Sequence, residues 1–142
     1  MKAFKVAGAA ALIGFALSTP ALADGDAAAG EKVFKKCAAC HKVGEGAKNG
    51  VGPVLNGVVG RPAGTGADFK YSQLNHNSGA AGLVWTEENI LAYLPDPNGF
   101  LKKYLTDAGK ADQIAGATKM TFKLTDETER KNVIAYLKTF TK

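Results

Sequence analysis

The sequence predicts an all-α domain in which a few amphipathic helices are joined by long loops. Three observations support this fold class. Apolar residues recur at helical spacing in several stretches, no stretch keeps the alternation of a strand, and glycine is frequent across the middle of the chain. A length of 142 residues is typical of one domain.

The first predicted helix runs from Asp26 to about Ala39. Asp26 is a suitable N-cap, and three alanines follow it. The residues that share one face at helical spacing are Gly30, Val33, Phe34 and Cys37. We expect this face to be buried.

Residues 42–82 are predicted to form a loop, with a short helical turn over residues 71–75. Glycine is frequent there, and Pro53 and Pro62 interrupt any helix. So long a loop is unusual in a compact domain. A loop that wraps around a bound group is an exception, because the group supplies the core.

Two helices are predicted next. One begins after a Thr86 cap and ends at Pro95, and the other covers about residues 98–108 and is closed by Gly109. Residues 110–122 then show no clear period.

The last predicted helix is capped by Thr125, with two acidic residues in its first turn. Its apolar stripe consists of Val133, Ile134, Leu137 and Phe140.

Residues 1–23 have the pattern of a cleaved secretory signal. Two lysines precede a 12-residue apolar stretch, and Ala21-Leu22-Ala23 matches a cleavage site. The apolar stretch is shorter than the roughly 20 residues that a membrane span needs. We therefore expect residues 24–142 to be a single domain in the periplasm. An uncleaved anchor is the alternative.

Removal of this signal leaves 16 basic and 13 acidic residues, a net charge of +3. So slight a basic excess in an exported protein argues against nucleic-acid binding. It also leaves one methionine, Met120.

Residues 37–41, Cys-Ala-Ala-Cys-His, match the C-x-x-C-H pattern of covalent haem c attachment. Two thiols one helical turn apart can add to the two vinyl groups of one haem as thioethers. The adjacent imidazole of His41 then lies under the iron as its proximal ligand. Both cysteines are used, so no disulfide remains.

Two other chemistries use similar motifs. A zinc site of Cys37, Cys40 and His41 would need a fourth ligand or an open position, and the sequence has no second Cys/His cluster. A thioredoxin-like motif belongs in an α/β fold, for which the sequence gives no pattern.

The second axial ligand has several candidates on residue type alone. Met120 lies in a glycine-containing segment that can reach an iron, but a lone methionine is also a common core residue. His76 lies in a polar stretch that we expect to be exposed, and lysines are further candidates.

Short motifs are spread over residues 30–137. They are Gly30 and Phe34, Cys37-x-x-Cys40-His41, Gly52-Pro53-x-Leu55-x-Gly57, Gly60-Arg61, Tyr71-Ser72, Trp85, Tyr93-Leu94, Thr118-Lys119-Met120-x-Phe122 and Ala135-Tyr136-Leu137. In combination they resemble class I cytochromes c, most of all the bacterial cytochromes c2, which are relatives of mitochondrial cytochrome c. The resemblance implies a fold whose N- and C-terminal helices cross while long loops surround one haem. It also implies a one-electron carrier that is not an enzyme.

The resemblance also implies roles around the haem. Met120 becomes the distal ligand, and a thioether ligand favours ferrous iron. The carbonyl of Pro53 accepts a hydrogen bond from the His41 ring. The residues around a buried propionate are Arg61, Tyr71 and Trp85, and those of a polar network near iron and propionates are Asn75, Tyr93 and Thr118. For Trp85 and Tyr93, an ordinary core position is the alternative.

One segment departs from the mitochondrial pattern. Residues Asp96 to Ala117 form a longer connection, as in the longer cytochromes c2, and include the third predicted helix. The resemblance therefore does not predict whether a partner contacts the surface near Lys102 and Lys103.

Lysines around the exposed haem edge are expected to dock the carrier, as a monomer, to acidic partners. They are Lys36, Lys42 and Lys119, with Lys35, Lys48 and Lys123 as further members. The resemblance implies a quinol-oxidising cytochrome bc1-type complex as donor, and a photosynthetic reaction centre or terminal cytochrome oxidase as acceptor. The alternatives are a haem sensor or peroxidatic protein with a labile sixth ligand, and a haem module of a larger enzyme.

Overall fold

The computed structural model describes residues 25–142, so the expected signal peptide, residues 1–23, lies outside the described residues. The described part is helical, as predicted, and its one β feature is an isolated bridge between Pro62 and Val84. The elements in chain order are α1 (Ala27–Phe34), α2 (Gln73–Ala80), α3 (Glu87–Tyr93), α4 (Pro97–Asp107), a 3-10 turn (Ala111–Gln113) and α5 (Glu127–Leu137).

Helix α1 crosses α5 at close range. The Asp26 carboxylate caps α1 by accepting hydrogen bonds from the backbone N–H groups of the first turn. Gly30 lies against the α5 backbone, where a Cβ would come within 1.9 Å of the Asn132 carbonyl oxygen. The rings of Phe34 and Tyr136 pack with centroids 5.5 Å apart. A residue without a side chain at position 30 is therefore what permits the crossing.

Helix α1 ends at Phe34, whereas the sequence predicted a helix to about Ala39. The chain continues as hydrogen-bonded turns through Cys40, in which the Cys37 N–H donates to the Phe34 carbonyl at 2.8 Å. These tighter turns carry the two cysteines to the wall of the interior cavity described below.

Helix α2 is longer than the predicted turn at residues 71–75. The Ser72 hydroxyl caps it by accepting from the Asn75 N–H at 3.1 Å. Its sequence has no apolar stripe, since Leu74 and Ser78 are the fully buried residues, and the Ser78 hydroxyl donates to the Leu74 carbonyl. Hydrophobic periodicity therefore could not indicate it.

Helices α3 and α4 agree with the prediction. Thr86 caps α3 by accepting from the Asn89 N–H at 3.1 Å. Pro97 occupies the first turn of α4, and Gly109, with φ +72°, follows its end. Helix α4 packs on α2, and its fully buried residues are Pro97, Leu101 and Leu105.

The cap of α5 is Asp126, so the prediction of Thr125 was wrong by one residue. The Asp126 carboxylate accepts from the Glu129 N–H at 2.8 Å. Val133, Ile134 and Leu137 are buried as predicted. Phe140 lies beyond the helix end, half-buried against Tyr136. None of the helices in residues 25–142 has the length and hydropathy of a membrane span.

Candidate cofactor site

One apolar cavity lies within the helices and loops, and every predicted haem-site residue lines it. These residues are Cys37, Cys40, His41, Pro53, Arg61, Tyr71, Asn75, Trp85, Tyr93, Thr118 and Met120. The rest of the wall is mainly aliphatic and includes Leu55, Val58, Ile90, Leu94, Val133 and Leu137. Residues from α1, α2, α3 and α5 and from the loops around them therefore converge on a single site.

The His41 ring is held by two residues of the following loop. Its Nδ1 lies 2.8 Å from the Pro53 carbonyl oxygen, so the hydrogen bond predicted for this pair is present. A carbonyl can only accept, so Nδ1 carries the proton and Nε2 keeps its lone pair. Gly52 packs against the ring, because a Cβ there would lie 2.5 Å from Cε1. Burial lowers the pKa of His41, and the Pro53 bond opposes this shift.

Cys37 and Cys40 are half-buried free thiols on the turns that precede His41. Burial raises the pKa of the Cys37 thiol, which outweighs the opposing effect of the Lys36 charge. Both side chains line the cavity beside His41, as thioether attachment to one cofactor requires.

Met120 is half-buried in an irregular segment before α5. The Tyr93 hydroxyl donates to its Sδ at 3.5 Å, and the Met120 N–H donates to the Thr118 hydroxyl oxygen at 3.3 Å. Burial raises the pKa of Tyr93 to about 12, with a Thr118 hydrogen bond acting in the opposite direction. The predicted polar residues Tyr93 and Thr118 thus lie directly at the methionine.

A polar region of the cavity contains buried side-chain atoms that lack partners. In residues 25–142 the buried atoms without a hydrogen bond are Arg61 Nε, Asn75 Oδ1 and Arg130 Nε, and the first two residues line the cavity. The Tyr71 hydroxyl oxygen accepts from the Gly66 N–H at 2.9 Å, which leaves its own proton to donate. Unpaired buried polar groups are costly. A cofactor carboxylate fits them, since an Arg61 N–H and the Tyr71 O–H would donate to it. The Asn75 amide can turn its NH₂ to the same group.

A backbone hydrogen bond positions Trp85 next to Arg61. The Trp85 N–H donates to the Arg61 carbonyl at 2.8 Å, next to the isolated bridge. The Trp85 ring packs edge-on against Tyr93 with centroids 4.7 Å apart. Trp85 and Tyr93 are 7% and 9% exposed, so both are core residues and cavity residues at once.

Of the alternative ligands, His76 is not placed to compete. His76 is exposed on α2, outside the lining of the cavity, rather than in the loop expected for it. Within the described chain, no group of three or more His, Cys, Asp and Glu side chains is arranged to hold a metal ion. This arrangement does not favour the zinc hypothesis.

The predicted docking lysines differ in their surroundings. Lys36 and Lys119 line the cavity, while Lys35, Lys42 and Lys48 are exposed without lining it. The Lys36 ammonium pairs with Glu129 at 2.8 Å, and that of Lys123 with Asp96 at 3.3 Å. The Lys119 ammonium donates to the Lys70 carbonyl and lies 5.7 Å from the Phe69 ring centroid.

Sequence reasoning missed the apolar residues at the opening of the cavity. Val51 is 72% exposed and Phe122 is 41% exposed, and both line the cavity. Phe122 belongs to a motif but was given no role, and nothing in the sequence singles out Val51. Large apolar side chains that are exposed beside a site often mark a contact surface.

Comparisons with known proteins agree with this geometry. A family model for cytochrome c matches residues 27–141. Cytochrome c2 iso-2 of Rhodospirillum centenum is 66% identical over 117 residues, which cover 82% of this chain and 97% of that protein. A cytochrome c2 of Rhodopseudomonas palustris is 66% identical over 114 residues, covering 80% and 97%. The solved structure of cytochrome c2 from Rhodospirillum centenum aligns with a TM-score of 0.81 and 64% identity, covering 83% of this chain and 100% of that one.

Proposed function

Because the chain belongs to the cytochrome c family and is an electron carrier with one covalent haem c, we propose that His41 and Met120 are the axial ligands of its iron. The observation that carries this proposal is that all the predicted haem-site residues line one apolar cavity. The haem supplies an iron that gains and loses one electron. The protein would supply attachment, axial ligands, an apolar pocket and a docking surface.

The proximal side is built to keep His41 fixed. Cys37 and Cys40 would hold the haem through two thioether bonds, each formed by addition of one thiol S–H across one vinyl group. Nε2 of His41 is free to bind iron because Nδ1–H is bonded to Pro53. Gly52 leaves the ring no room to tilt toward the loop.

The distal side holds a sulfur. The Tyr93 hydroxyl donates to Met120 Sδ, which reduces the electron density that the sulfur can give to ferric iron. Both effects, the thioether and the hydrogen bond, favour the ferrous state and a high reduction potential. If His41 and Met120 both bind the iron, no coordination site would remain open to a substrate, as a carrier requires and a sensor or peroxidatic protein does not.

The polar part of the cavity would bind a propionate through Arg61, Tyr71 and Asn75, with Trp85 packed beside them. Donors already in place offset the cost of burying that carboxylate. This accounts for the partnerless Arg61 N–H, which no protein acceptor satisfies in the described chain.

The opening of the cavity would be the docking surface. Val51 and Phe122 expose apolar area there, Lys119 adds positive charge, and Lys36 lies at the same cavity paired with Glu129. This combination suits brief contact with acidic surfaces of membrane redox complexes. We assign a cytochrome bc1-type complex as donor and a photosynthetic reaction centre or terminal oxidase as acceptor. The signal pattern supports a periplasmic mature protein that starts at Asp24.

The ligands are tested by the absorption spectrum of the oxidised, signal-cleaved protein at neutral pH. We expect a low-spin haem with a weak far-red sulfur-to-iron band, because Met120 is the one methionine after residue 1 and both thiols are consumed. Met120→Ala should lose the band and His76→Ala should keep it. A low-spin haem without the band would mean that a nitrogen ligand has replaced sulfur. A high-spin haem would mean an open iron and would favour the sensor or peroxidatic alternative.

The docking surface is tested by the rate of reduction or oxidation by an isolated partner complex. Lys119→Gln should slow the bimolecular reaction several-fold at low salt, and the difference should fade as salt rises. Lys131→Gln is the matched control, since Lys131 pairs with Glu127 on α5 and does not line the cavity. Equal rates for the two variants would contradict docking at the cavity opening.

A further inference from the structure

The first turn of α4 contacts the segment that carries Met120 at both of its ends. We call residues 118–123 the ligand loop. At its start, the Thr118 N–H donates to Asn98 Oδ1 at 3.1 Å. At its end, the Lys123 ammonium lies 3.3 Å from the Asp96 carboxylate. Both contacts come from the connection between Asp96 and Ala117, which is predicted to be longer than in mitochondrial cytochrome c.

The backbone of the ligand loop has few other ties. In the described chain, no backbone-to-backbone hydrogen bond involves residues 118–123, and the first one after it joins the Leu124 N–H to the Leu94 carbonyl. The Met120 N–H bonds within the loop, to the Thr118 hydroxyl. The Asn98 side chain therefore supplies the hydrogen bond that joins the backbone of the loop to a helix.

A third contact reaches Met120 through Tyr93. Phe100, one turn along α4, packs edge-on against the Tyr93 ring, with centroids 5.9 Å apart and planes at 87°. Phe100 also stacks on Trp85 at 6.2 Å. Tyr93 in turn donates its hydroxyl to Met120 Sδ. The position of the Tyr93 hydroxyl thus depends on an α4 side chain.

Helix α4 is a firm support for these contacts. Pro97 and Leu101 are fully buried, and the helix packs on α2 and α3. An element anchored in the core restrains an irregular loop more than solvent-exposed contacts do.

We propose that the first turn of α4 clamps the ligand loop, and that Asn98 and Phe100 are positioning residues for Met120. Asn98 acts on the loop backbone and Phe100 acts through Tyr93. The proposal rests on the proposed Met120 ligation. The clamp lowers the population of states in which the sulfur has left the iron.

That population sets how readily an outside ligand enters. Imidazole binds ferric haem iron only where Met120 has moved away, so its apparent dissociation constant falls in proportion as the open fraction rises. A hydrogen bond contributes a modest net free energy, which corresponds to a change of several-fold in that fraction.

The test is titration of the oxidised holoprotein with imidazole, followed by the loss of the sulfur-to-iron band. We expect Asn98→Ala to bind imidazole about fivefold more tightly than wild type. Phe100→Leu, which loses an aromatic pair, should bind it about threefold more tightly. Asn98→Asp keeps an acceptor for the Thr118 N–H and should stay within twofold. Lys103→Ala, an exposed change on the same helix away from the loop, should also stay within twofold.

The outcomes separate the clamp from the ligation itself. A wild-type protein without the band would overturn Met120 ligation and the clamp with it. A wild-type band, with Asn98→Ala and Phe100→Leu both within twofold, would overturn the clamp alone. So would equal tightening by Asn98→Asp and Asn98→Ala, since the hydrogen-bond acceptor would then have no role. If Asn98→Ala does not fold, Phe100→Leu decides whether the clamp exists, with Asn98→Asp as the comparison that should stay within twofold of wild type.

Discussion

The two proposed ligands are held by different parts of the structure. His41 directly follows Cys40, and its ring is fixed by Gly52 and Pro53, 11 and 12 residues further along the chain. Met120 lies in an irregular loop that is joined to α3 and α4 by the side chains of Tyr93 and Asn98. The first arrangement is close to the α1–α5 crossing, and the second depends on a few contacts between side chains and a loop.

This difference predicts different modes of failure. Displacement of His41 from the iron would require movement of the turns that hold Cys37 and Cys40, which would be bonded to the haem. These turns follow α1 directly and are joined to α5 by Lys36 and Glu129, so their movement should accompany global unfolding. Displacement of Met120 would require only local opening, which has a smaller free energy than unfolding of the core. Substitutions near His41 should therefore change global stability, and substitutions near Met120 should change the binding of outside ligands.

The largest effect is expected from Gly30→Ala at the α1–α5 crossing. The new Cβ would lie 1.9 Å from the Asn132 carbonyl oxygen, so the backbones must separate. We expect the free energy of unfolding in denaturant to fall by about 3 kcal/mol. Imidazole affinity should change less than twofold. Ala28→Ser, exposed on the same helix, is the control, and a Gly30→Ala protein as stable as that control would contradict the close crossing.

Gly52→Ala should have the next largest effect. Its Cβ would lie 2.5 Å from the His41 ring, and the ring is not a flexible chain end that can swing away. The free energy of unfolding should fall by about 2 kcal/mol. Gly50→Ala is the matched control, because its nearest contact, the Cys40 carbonyl oxygen at 3.5 Å, is an ordinary distance. Equal stabilities of the two variants would show that Gly52 does not restrain His41.

The same difference explains what the sequence could predict. The C-x-x-C-H motif is contiguous, so its chemistry is readable without a fold. Caps and breakers such as Asp26, Thr86 and Gly109 act over a few residues and were predicted correctly. Helix α2 was missed as an eight-residue helix because tertiary packing of Leu74 and Ser78 stabilises it, rather than an apolar stripe.

Site residues divide in the same way. The residues of the family motifs could be assigned to the haem site from the resemblance, whereas no local sequence rule predicts that they line the cavity. No sequence motif marks Asn98, because its role depends on the position of Thr118, 20 residues later. The error at Thr125 is of the local kind: two adjacent residues are both good caps, and backbone geometry selects Asp126.

Tyr93→Phe should have a smaller effect, on the Met120 side. Loss of the hydroxyl removes its hydrogen bonds to Met120 and Thr118, which should lower the free energy of opening the ligand loop by about 1 kcal/mol. We expect tighter imidazole binding and a lower reduction potential, measured by redox titration.

The pH dependence of this effect follows from the pKa of Tyr93, which burial raises to about 12. Because the folded-state pKa is raised, the contribution of the neutral phenol is complete below the unfolded pKa of 10.0 and is lost only as the pH rises toward 12. The difference between wild type and Tyr93→Phe should therefore be constant from about pH 5 to 9. A difference that varies within that range would contradict a neutral, buried hydroxyl.

The smallest effects are expected from two ion pairs, one on the His41 side of the site and one on the Met120 side. Lys36–Glu129 joins the turns after α1 to α5, and Lys123–Asp96 joins the ligand loop to the start of α4. All four side chains are substantially exposed to solvent, so each pair should contribute little to stability and lose most of that contribution in high salt. In double-mutant cycles with glutamine, the first pair should couple in the free energy of unfolding and the second in imidazole affinity. If both pairs coupled only in unfolding, the ligand loop would open together with the whole domain, and the two ligands would share one mode of failure after all.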